Sequence, residues 1–218
     1  MGSVGFSMES VLPPQAEGLV FDLDGTVLDT MGAHWQAWKQ LMSELGLTFT
    51  HEQFLNMAGK PTRTILAELS AAQGRADVDV PAASQRKTAI YQEHTAGVEP
   101  PPIECVMAVL RAGRARGLKC AIATGGSRDQ VISSLRKTGL YEADTNRKLF
   151  DAVVTANDVA HGKPHPETYL KAAAAIGVDP AKCVGYEDAP MGMESIRAAG
   201  YMLAVDVTKM EGYPQIQD

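Results

Sequence analysis

Cysteine is scarce: Cys105, Cys120 and Cys183 are the three in 218 residues, and no two stand in CxxC spacing. That excludes a disulfide framework and the usual thiolate zinc site, and it predicts reduced, buried thiols in a cytoplasmic setting. Long apolar runs are missing as well. None approaches the ~18 residues that span a bilayer, so no membrane association is expected. Residues 1–15 hold no arginine, no positively charged leader and no long apolar stretch. This argues against a secretory or transit peptide and predicts a loose tail. Basic runs are absent too. The net charge is −6, and the densest cations (Arg111, Arg114, Arg116 and Lys119) fall at the end of a predicted helix. The balance excludes nucleic acid as a partner while leaving a small anionic metabolite open. A monomer is expected, and no internal repeat or low-complexity segment interrupts the chain.

What is present is organised around Leu19-Val20-Phe21-Asp22-Leu23-Asp24-Gly25-Thr26. Three consecutive apolar residues read as a short buried strand. Two carboxylates follow two positions apart, so they face the same side, and Gly25 permits a sharp turn. Like charges at the mouth of an apolar strand need compensation, and Mg2+ suits an all-oxygen acidic site. A plain Asp/Gly turn at a strand end is the alternative this octet leaves open.

After the N-cap pair Asp29-Thr30 the pattern turns helical. Trp35, Trp38, Leu41, Met42 and Leu45 recur at three- and four-residue spacing, and Gly46 ends the segment. Helices are predicted over 51–58, 61–73 and 81–95, and the prolines at 100–102 close this block. From Ile103 helices alternate with short apolar strands. Helices are predicted over 103–116, 128–137, 166–176 and 191–199, strands over 118–123, 152–154, 182–185 and 202–205, and a polar loop over Glu142–Lys148. Such alternation specifies an α/β fold, a Rossmann-like doubly wound parallel sheet with helices on both faces. Residues 1–29 and 99–218 then make the core, and residues 30–98 an inserted helical cap.

Ligands in such sheets gather at the carboxyl ends of the strands. Thr124-Gly125-Gly126-Ser127 offers a hydroxyl and open N–H groups to phosphate oxygens at a helix start, although an ordinary strand-to-helix turn has the same composition. Lys163 stands between Gly162 and Pro164, held for position or merely solvated in a loop. Glu187-Asp188 sets a second acidic pair where a cation opposite Asp22 needs it, or caps the next helix. With Asp24 protonated, the charges of Asp22, Glu187 and Asp188 balance those of Lys163 and Mg2+. His161 and His165 are four apart, but two prolines exclude a helix there and no third ligand is evident. They read as loop residues.

The order acidic pair, Thr, Lys, acidic pair resembles the haloacid dehalogenase superfamily of phosphohydrolases over nearly the whole chain. The helical insert after the first motif resembles the cap of its β-phosphoglucomutase-like branch. Asp29-Thr30, His34, Trp38, residues 57–62 and residues 185–189 resemble bacterial fructose-1-phosphate phosphatase-like proteins. The resemblance implies hydrolysis of small sugar phosphates, or related phosphomonoesters, with Mg2+ and through an aspartyl-phosphate. Asp22 would be the nucleophile and Asp24 the acid, then the base. The Asp22 carboxylate, the Asp24 carbonyl and Asp188 would hold Mg2+, with Glu187 nearby. Thr124, Gly125 and Lys163 would meet the phosphoryl group. His34, Lys60 and Arg63 are the cap candidates for substrate, set against packing on Trp38 for His34 and solvation for the other two. β-Phosphoglucomutases usually carry an Arg where Thr62 stands, with Arg63 one residue off, and Val where Thr26 stands. Both departures favour a phosphatase over a sugar-phosphate mutase, the alternative. A catalytically silent binding protein on this fold is a third reading and a dehalogenase a weaker one.

Overall fold

The computed structural model describes residues 7–140 and 149–216. They form two units, one running to Asp29 and again from Pro101 to Gln215, the other Thr30–Pro100 with Ile216. In the first unit the strands are β1 (Gly18–Phe21), β2 (Lys119–Ala123), β3 (Ala152–Val154), β4 (Cys183–Glu187) and β5 (Leu203–Asp206). All pairings are parallel, in the order β3-β2-β1-β4-β5. The chain therefore fills one side of β1 and then the other, so β1 sits at the switch point where such sheets bind ligands.

In chain order the helices of both units are α1 (Met8–Val11), α2 (Met31–Leu45), α3 (His51–Asn56), α4 (Thr62–Ala72), α5 (Val80–His94), α6 (Glu104–Ala115), α7 (Arg128–Lys137), α8 (Glu167–Ile176) and α9 (Pro190–Ala198). Strand alternation sorts the first unit's core into two layers. Leu19, Phe21, Cys120, Ile122, Val184 and Tyr186 pack with α6 and α7. Val20, Ala121 and Ala123 face Tyr169, Ala172 and Ile176 of α8 and Ile196 of α9. The second unit closes around Trp35, Trp38, Leu41, Phe49, Phe54, Leu66 and Ile90. Among the described residues no helix is long and apolar enough to cross a membrane.

Three expectations are corrected. The described part of residues 1–15 is no loose tail. Ser7 caps α1, Val11 and Leu12 are buried, the Tyr186 hydroxyl donates to the Val11 carbonyl at 2.6 Å, and Arg116 donates to the carbonyls of Leu12, Pro13 and Pro14. Two apolar side chains and a guanidinium clamp hold it down. Thr30 stands at the N-cap of α2, but its hydroxyl makes no cap bond. β4 runs two residues further than its apolar pattern, so Glu187 is its last residue. The polar loop expected over Glu142–Lys148 lies outside the described residues.

Candidate active site

Parallel register builds the site before any side chain is considered. Phe21 is level with Ile122 and Tyr186, and the Asp22 amide donates to the Tyr186 carbonyl at 3.0 Å. One step past β1, Asp22 is therefore level with Ala123 and Glu187, and Thr124 and Asp188 follow one residue later. The chain then turns at once. Gly25 takes a φ of 78°, which an L side chain resists, and its amide donates to the Leu28 carbonyl at 2.8 Å. The Tyr213 hydroxyl holds the Gly25 carbonyl at 2.6 Å, fixing the turn that carries Asp24.

Lys163 joins the two acidic motifs. Its ammonium donates to Asp22 Oδ1 at 2.6 Å and to Glu187 Oε1, with its side chain 9% exposed. It also lies 5.0 Å from the centre of the Tyr169 ring, a cation–π contact. Glu187 Oε1 accepts from the Tyr169 hydroxyl at 3.2 Å, and Oε2 from the Ala189 amide at 2.9 Å. Asp188 Oδ1 accepts from Thr26 Oγ1 at 3.2 Å. Asp22, Glu187 and Asp188 each bring an oxygen within 4.8 Å of the other two.

The electrostatics follow from burial. Desolvation raises the Asp22 pKa to about 7; Lys163 pulls against it while Glu187 and Asp24 add to it. Burial, then the charges of Glu187 and Asp22, hold Asp188 well above the ordinary carboxylate range. Burial works against the Lys163 ammonium, yet Asp22 and Glu187 more than offset it and keep its pKa above the usual lysine value. Among the described residues one cation, Lys163, faces these three acids, which leaves the site short of positive charge. An all-oxygen donor set with that deficit fits a hard divalent cation such as Mg2+.

The other expected residues divide. Thr124 is buried, and its Oγ1 accepts from the Gly126 amide at 3.0 Å, so the hydroxyl shapes its own loop and keeps its proton to donate. A Cβ at Gly125 would meet open space, leaving that backbone accessible. In the helical unit, His34 Nδ1 lies 2.8 Å from the Lys87 ammonium, and the ring stacks on Tyr91 with centroids 4.1 Å apart. Lysine only donates, so His34 is neutral with its lone pair at Nδ1. Lys60 is engaged by Glu68 at 2.8 Å, and Arg63 is exposed on α4.

Four contributors escaped the sequence reading. Lys87 and Tyr169 carry ordinary helical spacing. In the sequence Thr26 ends the first acidic motif and departs from Val, and nothing there marks it as a donor to Asp188. Gly192 is needed because a Cβ there would lie 1.7 Å from Glu187 Oε1. Only the position of Gly192 in the helix that follows the second acidic pair hinted at crowding.

Known proteins resemble the chain over most of its length. The haloacid dehalogenase-like hydrolase profile matches residues 19–205. Fructose-1-phosphate phosphatase YqaB of Escherichia coli K12 is 38% identical over 191 residues, covering 87% of this chain and 95% of that protein. Hexitol phosphatase A of the same organism is 33% identical, covering 88% and 84% respectively. The β-phosphoglucomutase structure of Clostridium difficile superposes with a TM-score of 0.70 at 22% identity, over 89% of this chain and 88% of that one, a likeness of fold. The chain belongs to the haloacid dehalogenase-like hydrolases.

Proposed function

We propose that the protein is a Mg2+-dependent phosphatase of small sugar phosphates, working through an aspartyl-phosphate. The observation that carries the reading is the bridge by which Lys163 binds both Asp22 and Glu187 while Asp188 lies within cation-sharing distance of each. The sugar-phosphate class is supported by the names of two relatives, fructose-1-phosphate phosphatase and hexitol phosphatase.

An Asp22 carboxylate oxygen attacks phosphorus, and the P–O bond to the sugar breaks as the new bond forms. Asp24, held by the Gly25 turn, protonates the departing sugar oxygen. It then takes a proton from the water that cleaves the acyl phosphate, releasing inorganic phosphate and restoring Asp22. Lys163 orients the nucleophile and meets the growing charge on the phosphoryl oxygens, which Thr124 and the open Gly125 backbone help to bind. Asp22 and Asp188, with Glu187 beside them and the Asp24 carbonyl, are the residues that would hold Mg2+. When bound, the ion neutralises the acids and the phosphate so that two anions can approach.

The test is phosphate release over a panel of two- to six-carbon phosphomonoesters, with and without Mg2+. Turnover should require Mg2+, favour sugar or sugar-alcohol phosphates, and vanish in Asp22→Asn while that variant keeps its fold. Undiminished turnover in Asp22→Asn would remove the mechanism. Formation of glucose 6-phosphate from β-glucose 1-phosphate would mark a mutase instead.

A further inference from the structure

The loop that presents Lys163 carries a second cluster with different chemistry. Its sequence, His161-Gly162-Lys163-Pro164-His165-Pro166-Glu167, is not helical until Glu167 opens α8. The non-helical path nonetheless folds both imidazoles onto one side, with ring centres 4.7 Å apart and planes inclined at 38°. Glu167 adds a carboxylate to this cluster from the start of α8. Its Oε2 lies 3.3 Å from His161 Nδ1, its backbone amide donates to His165 Nδ1 at 3.3 Å, and one ligand atom from each residue falls within 4.8 Å of the other two.

We propose that His161, His165 and Glu167 form a surface site for a borderline-soft divalent metal, of which Zn2+ is the natural occupant, separate from the buried acidic site. Ligands at ~2.0–2.1 Å from a tetrahedral Zn2+ stand roughly 3.3–3.4 Å apart, so the His161–Glu167 edge already has the required length. The remaining edges need closing by about 1.5 Å at most, within the rotamer freedom of an exposed imidazole. The His161 side chain is 68% exposed, so turning it costs no core packing. The carboxylate is anchored. Oε1 accepts from the Ala160 amide at 3.0 Å and from Lys171 at 2.7 Å, and Oε2 accepts from the His161 amide at 2.9 Å. Lys171 takes one oxygen and leaves Oε2 as the metal-facing one. Two imidazoles and one carboxylate select Zn2+ over Mg2+, which prefers oxygen donors and keeps its water. The ligands lie two residues before Lys163, two after and four after it. A bound ion therefore ties together both ends of the segment that holds the lysine.

The full chain in saturating Mg2+ tests this by titration with Zn2+, followed by calorimetry and by the imidazole resonances. The wild-type protein should take up one Zn2+ with His161 and His165 resonances shifted together, and amide exchange across residues 159–166 should slow. His161→Asn/His165→Asn should lose at least about tenfold in Zn2+ affinity and show no slowing. Equal uptake by the double variant would place the metal on the acidic site and overturn the proposal. So would unshifted imidazole resonances in the wild-type protein at full Zn2+ loading, a result that depends on no variant folding correctly.

Discussion

Replacing Lys163 by methionine removes the ammonium that, alone among the described residues, is paired with Asp22 and Glu187, with neither partner more than 9% exposed. Breaking a buried pair from one side costs about 3–5 kcal/mol, because the partner's charge stays buried. The loss has a ceiling set by protonation. A carboxylate stranded in the folded state escapes by taking up a proton, at about 1.4 kcal/mol for each pH unit above its unfolded pKa. The sign follows directly. A folded-state pKa raised above the unfolded one means that the folded variant holds a proton which the unfolded chain releases. Stability is then lost as pH rises from the unfolded value toward the folded one. The deficit of Lys163→Met should therefore be widest near pH 8, at about 3–5 kcal/mol, and narrow toward pH 5. Urea unfolding in metal-free buffer measures it, followed by tyrosine near-ultraviolet dichroism, since Trp35 and Trp38 both lie in the helical unit. Mg2+ at about 100 times its dissociation constant should restore about 2.7 kcal/mol by mass action. Lys163→Arg, which keeps the charge, should recover part of the loss without metal. Phosphate release should fall about 10²–10³-fold in the methionine variant. A metal-free deficit below about 1 kcal/mol at pH 8 would show that Lys163 is not the counter-charge and would refute the electrostatic argument.

Other perturbations have equally definite outcomes. Gly192→Ala would place its Cβ 1.7 Å from Glu187 Oε1, so Glu187 must leave Lys163; melting should show a loss of about 1–3 kcal/mol and turnover should fall more than about tenfold, and wild-type turnover would contradict the crowding. Leu12→Ala should cost about 2–4 kcal/mol in chemical denaturation, since Leu12 is 4% exposed on a docked segment; a neutral result would return residues 7–15 to a loose tail. His34 is held well below 6.5 by burial and then by Lys87. With the folded pKa lowered, only the unfolded state gains a proton as pH falls below 6.5, so His34's contribution to stability is present above that pH and lost below it. Its imidazole resonances should stay unshifted from about pH 8 to about pH 5.5, and Lys87→Met should bring the titration toward that window; a wild-type titration near 6.5 would sink the assignment.

Legibility in the sequence tracked the range of the interaction. Leu19-Val20-Phe21 read as a buried strand because burial along consecutive residues is written locally, and alternating helix and strand then constrained the sheet. Asp22, Thr124, Lys163 and Glu187-Asp188 read as candidates because each sits at a strand end or beside a proline. What depends on side chains from distant elements did not show. Val11 and Leu12 look like any short apolar pair until Tyr186 and Arg116 are seen to hold that segment. Lys87 looks like a helix-face lysine until its ammonium is found on His34. His161 and His165 failed the helical test correctly, but the loop brought them together by another route and Glu167 came from the start of α8.

Glu187 shows why residue type alone does not assign a role within an acidic cluster. It is 1% exposed, more deeply buried than Asp22 at 7%, and its two oxygens accept from Lys163, Tyr169 and the Ala189 amide. A carboxylate offers about four lone-pair directions, and three of these are already used. Asp188 accepts from Thr26 and borders a cleft of ≈ 260 Å³ lined also by Pro190, Met193 and Arg197. Burial and partner count therefore divide adjacent acids. Glu187 is the residue that fixes Lys163 against Asp22, and Asp188 is the one with lone pairs left for a cation. That division sets Asp22 and Asp188, the proposed nucleophile and metal-facing carboxylate, one step past β1 and β4, where parallel register fixes their spacing, while Glu187 at the end of β4 draws in Lys163 from its loop.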